Sequence, residues 1–156
     1  MTQDLQVGDA APAFALPRDG GGAISLSDCM NHKVVLYFYP RDDTSGCTAE
    51  AIAFSGLKPA FDKAGAIVIG VSPDSAASHD KFKAKHNLAV ALAADPERSA
   101  IEAYGVWVEK SMYGRKYFGV ERTTFLVGRD GRIAKIWRKV KVPKHAEEVL
   151  RAAEAL

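Results

Sequence analysis

The chain has 156 residues, a net charge of +2, 47% apolar residues and two cysteines. That length can build one sizeable core, the small charge points to no polyanionic partner, and two thiols cannot staple a secreted scaffold. The opening Met1-Thr2-Gln3-Asp4-Leu5 lacks a basic-then-apolar leader and no apolar run approaches a membrane span, so a cytoplasmic protein touching neither membrane nor nucleic acid is expected.

In chain order, Val34-Val35-Leu36-Tyr37-Phe38-Tyr39 is an unbroken run of β-formers, the pattern of a strand buried on both faces. It stops at Pro40, and a short polar loop leads to Cys47, where a helix is expected to begin. From Cys47 to Ala64 the apolar residues Phe54, Leu57 and Phe61 recur at helical spacing, with Pro59 kinking or splitting the helix and Gly65 ending it. Residues 66–71 read as a second buried strand, closed by the turn Ser72-Pro73-Asp74. Residues 75–86 read as a polar amphipathic helix carrying Phe82 and stopped by Asn87. A weaker strand is expected over 90–93, and Asp95-Pro96 reads as the start of a helix running through Ile101 and Tyr104 to Gly105.

Residues 123–127 and 133–137 are β-former runs flanking Gly128-Arg129-Asp130-Gly131, a hairpin signal. Arg138-Lys139-Val140-Lys141 alternates like an exposed strand and reads as a solvated face. Pro143 opens a closing helix to Leu156 with Val149 and Leu150 turned inward. The order implies one α/β domain over 1–156, a mixed sheet flanked by helices in which the first two strands are parallel and the last two antiparallel. That is the order of a thioredoxin-like domain, where functional groups gather beyond the carboxyl ends of the parallel strands. Cys47 lies there.

A thiol at a helix N-terminus faces unpaired backbone N–H groups and the positive end of the helix dipole, which favour the nucleophilic thiolate. Its neighbours Thr44, Ser45, Gly46 and Thr48 are polar or small, unlike the setting of an inert buried cysteine. Thiol-disulfide exchange of the thioredoxin type wants a second cysteine three residues on, and position 50 is Glu. A cysteine protease or acyltransferase wants a histidine base, yet His32, His79, His86 and His145 fall on loops or helices away from the motif and read as surface residues. His79 and His86 are seven apart with nothing to complete a metal site, so no metal or other cofactor is expected. A redox sensor using the same thiol is a further reading, separated from an enzyme by turnover.

Pro40, Thr44 and Cys47 stand in the spacing Pro-x-x-x-Thr-x-x-Cys. With Asp43-Thr44-Ser45-Gly46-Cys47-Thr48-Ala49-Glu50-Ala51, Tyr104-Gly105-Val106-Trp107, residues 110–117 and Glu121-Arg122-Thr123-Thr124-Phe125, the chain resembles the peroxiredoxins, within them the bacterioferritin comigratory protein or peroxiredoxin Q group. The resemblance covers nearly the whole chain. It implies a thiol-dependent peroxidase in which Cys47 attacks hydrogen peroxide or an organic hydroperoxide and becomes a sulfenic acid. Under it, the Thr44 hydroxyl would hydrogen-bond the peroxide and the thiolate, Pro40 would shield the pocket, and Arg122 would be the cation favouring the thiolate and the transition state. From sequence alone Arg122 is an ordinary surface arginine. Glu50 is open to two readings: a partner for the helix N-terminus, or an orienting hydrogen bond near Arg122. Tyr37 and Trp107 read as core or pocket-wall aromatics.

The chain departs from the group at Ile52, where many members carry a resolving cysteine, and at Ser45, where Pro is frequent. The other thiol, Cys29, precedes the first strand whereas Cys47 follows it. A strand of that length spans on the order of 20 Å, against the roughly 7 Å between Cα atoms that a disulfide tolerates. A one-cysteine mechanism is therefore expected, with reduction by an outside thiol (thioredoxin, glutaredoxin or glutathione) acting on a monomer.

Overall fold

A computed structural model describes residues 4–156; Met1-Thr2-Gln3, part of the segment read above for a leader, lie outside the described residues. The sheet grows from the run at residues 34–39. Strand β3 (Lys33–Phe38) is buried along its whole length because its side chains feed two cores. Val34, Leu36 and Phe38 point to one face, and Val35, Tyr37 and Tyr39 to the other, the two-residue alternation of an extended chain. Before it come a small hairpin, β1 (Ala15–Pro17) and β2 (Ala23–Ser25), and a 3-10 turn ending at Cys29.

The helix expected at Cys47 is α1 (Ser45–Gly56), and Pro59 splits it as anticipated. The chain breaks at Leu57 and resumes as α2 (Lys58–Lys63) with proline in the first turn, where its missing N–H costs nothing. Then follow β4 (Ala66–Ser72), α3 (Ala76–His86) and β5 (Ala91–Ala94). Ser75 caps α3 through its side chain, and Asn87 ends it in the left-handed conformation. α4 (Ser99–Ala103) starts later than the Asp95-Pro96 signal suggested. Pro96 sits in a turn, and the Asp95 carboxylate reaches past it to accept from the Ser99 and Ile101 amides at 3.0 and 2.8 Å.

Strands β6 (Trp107–Met112) and β7 (Arg115–Val120) form a second separate hairpin that the sequence reading did not anticipate. β8 (Thr123–Val127) and β9 (Ile133–Trp137) form the expected antiparallel pair, and α5 (His145–Ala155) closes the chain with Val149 buried and Leu150 partly so. The run at residues 138–141 is not a strand. β9 ends at Trp137, and the run loops back so that the Val140 amide bonds the Arg122 carbonyl at 3.0 Å.

The central sheet has the order β5-β4-β3-β8-β9, with β3, β4 and β5 parallel and β8 antiparallel to β3 and to β9. One core carries Cys47, Phe54, Phe61, Phe82 and Val149 from helices α1, α2, α3 and α5. The opposite core carries Cys29, Ile101 and Tyr104 with residues of the hairpins. Among the described residues no helix is long and apolar enough to cross a membrane.

Candidate active site

Register brings the site together. β8 runs antiparallel to β3 with Thr123 opposite Phe38, so the start of β8 lies where β3 ends. Arg122 precedes that start, and Cys47 stands in the first turn of the helix that follows β3. Two positions 75 residues apart in sequence thus meet: Arg122 Nη2 donates to Cys47 Sγ at 3.3 Å. Its Nη1 donates to Glu50 Oε1 at 2.6 Å, one turn along α1. Gly46 makes room for this, since a Cβ there would lie 3.2 Å from Arg122 Nη2.

The thiol is 1% exposed, as is Glu50. The first turn of α1 contains no acidic residue, and the Thr44 side chain makes no capping bond, so the positive end of the helix is not neutralised from within the turn. Burial drives the Glu50 carboxyl up to about 7, against the pull of Arg122's charge and hydrogen bond. Arg122 itself is held above its ordinary value: burial opposes its charge, but Glu50 and Cys47 outweigh it. Of the two readings of Glu50, the geometry is that of an orienting hydrogen bond to Arg122.

Pro40 is half-buried at the end of β3 and Thr44 is exposed at the N-cap of α1. The Thr44 hydroxyl donates to the Arg41 carbonyl at 2.9 Å, so its proton is engaged within the loop. Ile52 is exposed on α1. Tyr37 lies in the Cys47 core, stacked on Phe54 at 4.7 Å between centroids, while Trp107 is half-buried beneath Arg98. Tyr37 OH and Glu50 Oε2 are buried and unpaired among the described residues.

Cys29 stands apart. It precedes β3 and belongs to the core on the other face, so the two thiols are separated by the length of the strand and the thickness of the sheet. Burial, with Asp28 beside it, pushes the Cys29 thiol up from its ordinary value. A cavity of about 280 Å³ opens at that end, lined by Leu26, Cys29, Val34 and Val127, away from Cys47.

Two histidines depart from the surface positions expected of them. His79 is fully buried and His145 is 5% exposed. His145 packs edge-on against Phe54 and Trp137 and pairs with Thr124 Oγ1 at 2.8 Å; burial pulls its ring down to about 4. Among the described residues neither makes a hydrogen bond with Cys47; their partners are Asp42 and Ala93 for His79 and Thr124 for His145. Lys110 on β6, not singled out beforehand, lies in the field of the site. Burial and the Arg122 charge push its ammonium below the ordinary lysine value, against the pull of Glu121 and Cys47. Only the hairpin fold brings it there.

Residues 7–136 match the model of the AhpC/TSA family. The chain is 48% identical over 146 residues to a putative peroxiredoxin bcp of Coxiella burnetii, covering 94% of this chain and 97% of that one. It is 47% identical over 146 residues to the peroxiredoxin Bcp of Bacillus subtilis, covering 94% and 93%. Among solved structures, the Xanthomonas campestris bacterioferritin comigratory protein, described for its alkyl peroxide reduction activity, superposes with a TM-score of 0.87 at 45% identity over 91% of this chain and 90% of that one.

Proposed function

The chain belongs to the AhpC/TSA family and is a thiol peroxidase of its Bcp/peroxiredoxin Q group, and from that premise we propose that Cys47 reduces hydrogen peroxide and alkyl hydroperoxides by a one-cysteine mechanism. The observation that carries this is the guanidinium of Arg122, 3.3 Å from Cys47 Sγ and clamped by Glu50. The Cys47 thiolate attacks one peroxide oxygen, the O–O bond breaks, and the leaving hydroxide or alkoxide takes a proton to depart as water or alcohol. Cys47 is left as a sulfenic acid. Charge moves from sulfur to the departing oxygen, and a fixed guanidinium serves both ends without reorganising. Thr44 turns its hydroxyl from Arg41 to the peroxide, and Pro40 screens the thiol from water.

One outside thiol then displaces water from the sulfenic acid to form a mixed disulfide. A second thiol releases Cys47 and leaves as the oxidised partner. Thioredoxin, glutaredoxin or glutathione supplies these thiols, in the reducing cytoplasm that suits two free cysteines. Cys47, Glu50 and Arg122 meet within one chain, and a monomer is the working unit we adopt. Intact-mass measurement after one equivalent of alkyl hydroperoxide tests the reading. One oxygen is added at Cys47, unchanged by Cys29→Ser and absent in Cys47→Ser; a monomer that loses two hydrogens through a Cys29–Cys47 bond sinks the one-cysteine mechanism.

A further inference from the structure

Helix α3 grips the loop that carries Pro40 and Thr44. Ser78 and His79 hold the buried Asp42, and two turns further on Lys85 and His86 hold the exposed Asp43 at 2.7 and 2.9 Å. The seven-residue spacing that led to no metal site places these pairs on one helix face. Asp42 is fully engaged. Its Oδ2 accepts from Ser78 Oγ at 2.8 Å and lies 2.7 Å from His79 Nδ1, its Oδ1 accepts from the Tyr39 hydroxyl at 2.6 Å, and its amide donates to Asp74 Oδ2 at 2.7 Å.

His79 Nε2 stands 2.9 Å from the Ala93 carbonyl oxygen. A carbonyl only accepts, so Nε2 carries a proton, and Nδ1 then shares a second proton with the Asp42 carboxylate. The groups facing the ring are Asp42 and Asp74 from the two strand-end loops and Tyr39 from the end of β3. Burial opposes a charge on His79, yet the Asp42 hydrogen bond and charge, with Ala93 and Asp74, hold it above the ordinary histidine value. Burial likewise opposes ionised Asp42, and its bonds to His79, Tyr39 and Ser78 keep it below the usual carboxylate range. Asp42, Asp74 and His79 offer ligand-type atoms within 4.8 Å of one another, but these are already committed to mutual hydrogen bonds and to Ser72, which account for the cluster without a cation.

What the pair secures is a demanding turn. Asp43 is left-handed at φ 60°, and Thr44 is extended at φ −96°, ψ 157°. A non-glycine residue holds the left-handed conformation of Asp43 where its surroundings over-determine it. We propose that His79 is a positioning residue for peroxide reduction: as an imidazolium paired with Asp42, it fixes the turn that presents Pro40 and Thr44 to the peroxide bound at Cys47. The proposal rests on Cys47 being the peroxide-reactive thiol.

The test compares two reactions of the same sulfur. A small alkylating agent such as iodoacetamide needs the thiolate but not the Pro40–Thr44 wall; peroxide needs both. In His79→Asn, which keeps a donor toward Asp42 but cannot carry the charge, the ratio of the peroxide to the alkylation rate constant falls by on the order of 10- to 100-fold, the cost of a reacting group misplaced by up to an ångström. In the wild type that ratio declines as pH rises through the raised His79 titration, and in His79→Asn the decline is missing. A folded variant whose ratio stays within about twofold of wild type at every pH overturns the positioning role. Should His79→Asn fail to fold, the wild-type protein decides by the same ratio: a decline as pH rises through the His79 titration supports the role, and a ratio flat across that range overturns it. If peroxide leaves the mass of wild-type Cys47 unchanged, it is the underlying assignment of Cys47 that fails.

Discussion

At the residue scale three side chains meet, Cys47, Glu50 and Arg122, and Arg122 joins the other two. Its planar fork reaches sulfur with one nitrogen and carboxylate with another, an arrangement that a lysine ammonium on its flexible stem does not reproduce. Arg122→Lys is therefore expected to slow oxidation of Cys47 by peroxide on the order of 100-fold, measured by competition against a peroxidase of known rate; oxidation within about threefold of wild type means that charge alone suffices and the fork does not matter. Cys47 was recognisable from its own neighbours, because a helix start with small polar residues is a local property. Arg122 was not: nothing around Glu121-Arg122-Thr123 distinguishes it from a surface arginine, and only resemblance to a family picked it out.

Elements are where the sequence was read best and also where it misled. Buried strands β3 and β4 announced themselves because both faces of each are covered and their positions are apolar apart from Lys33 and Ser72 at the ends. Their pairing also constrains Gly70, which lies opposite Tyr37 in the parallel register. A Cβ on Gly70 would meet the Tyr37 ring at 2.5 Å, and that ring is itself packed on Phe54 and Tyr39. Gly70→Ala should destabilise the fold by about 1–3 kcal/mol, the usual cost of overpacking, read from urea denaturation; a loss under about 0.5 kcal/mol means Tyr37 can move aside freely. The β6–β7 hairpin escaped the sequence reading for the opposite reason. It pairs only with itself, β7 exposes Tyr117 and Phe118 while β6 buries little, and its turn is Tyr113-Gly114 instead of the Asn-Gly or Asp-Gly signal. Likewise α4 begins late because the Asp95 side chain, not Pro96, satisfies its first amides.

Between the ordinary carboxylate and thiol ranges, the whole molecule responds to pH through Glu50, His145 and His79, buried groups of opposing sign. Glu50, raised to about 7, makes the native state bind more protons than the unfolded chain, so its contribution to stability falls as pH rises from about 4.5 to about 7. His145, lowered to about 4, does the reverse: its contribution is lost as pH falls from 6.5 towards 4. His79, raised above its ordinary value, contributes fully below about 6.5 and loses that contribution as pH climbs through its folded value. Glu50→Gln removes the first slope. Denaturant unfolding of that variant should give stability that rises from pH 4 to about 6.5 and declines above it, while the wild type is flatter between pH 4.5 and 6.5; equal slopes in the two proteins would show that Glu50 is not raised.

From the sequence alone came the alternation of strands and helices, the helix start near Cys47, the missing second thiol at Glu50, and the remoteness of Cys29, since each depends on nearby residues or on strand length; that Ile52 stands where a resolving cysteine is common came from the family resemblance. Tertiary structure alone decided that Arg122 touches Cys47, that Glu50 turns to Arg122, and that His79 is a buried clamp on Asp42 and not a surface residue. The physical reason is that antiparallel register and helix packing bring together residues that sequence separates by tens of positions, and nothing in either local stretch encodes which distant group will arrive beside it.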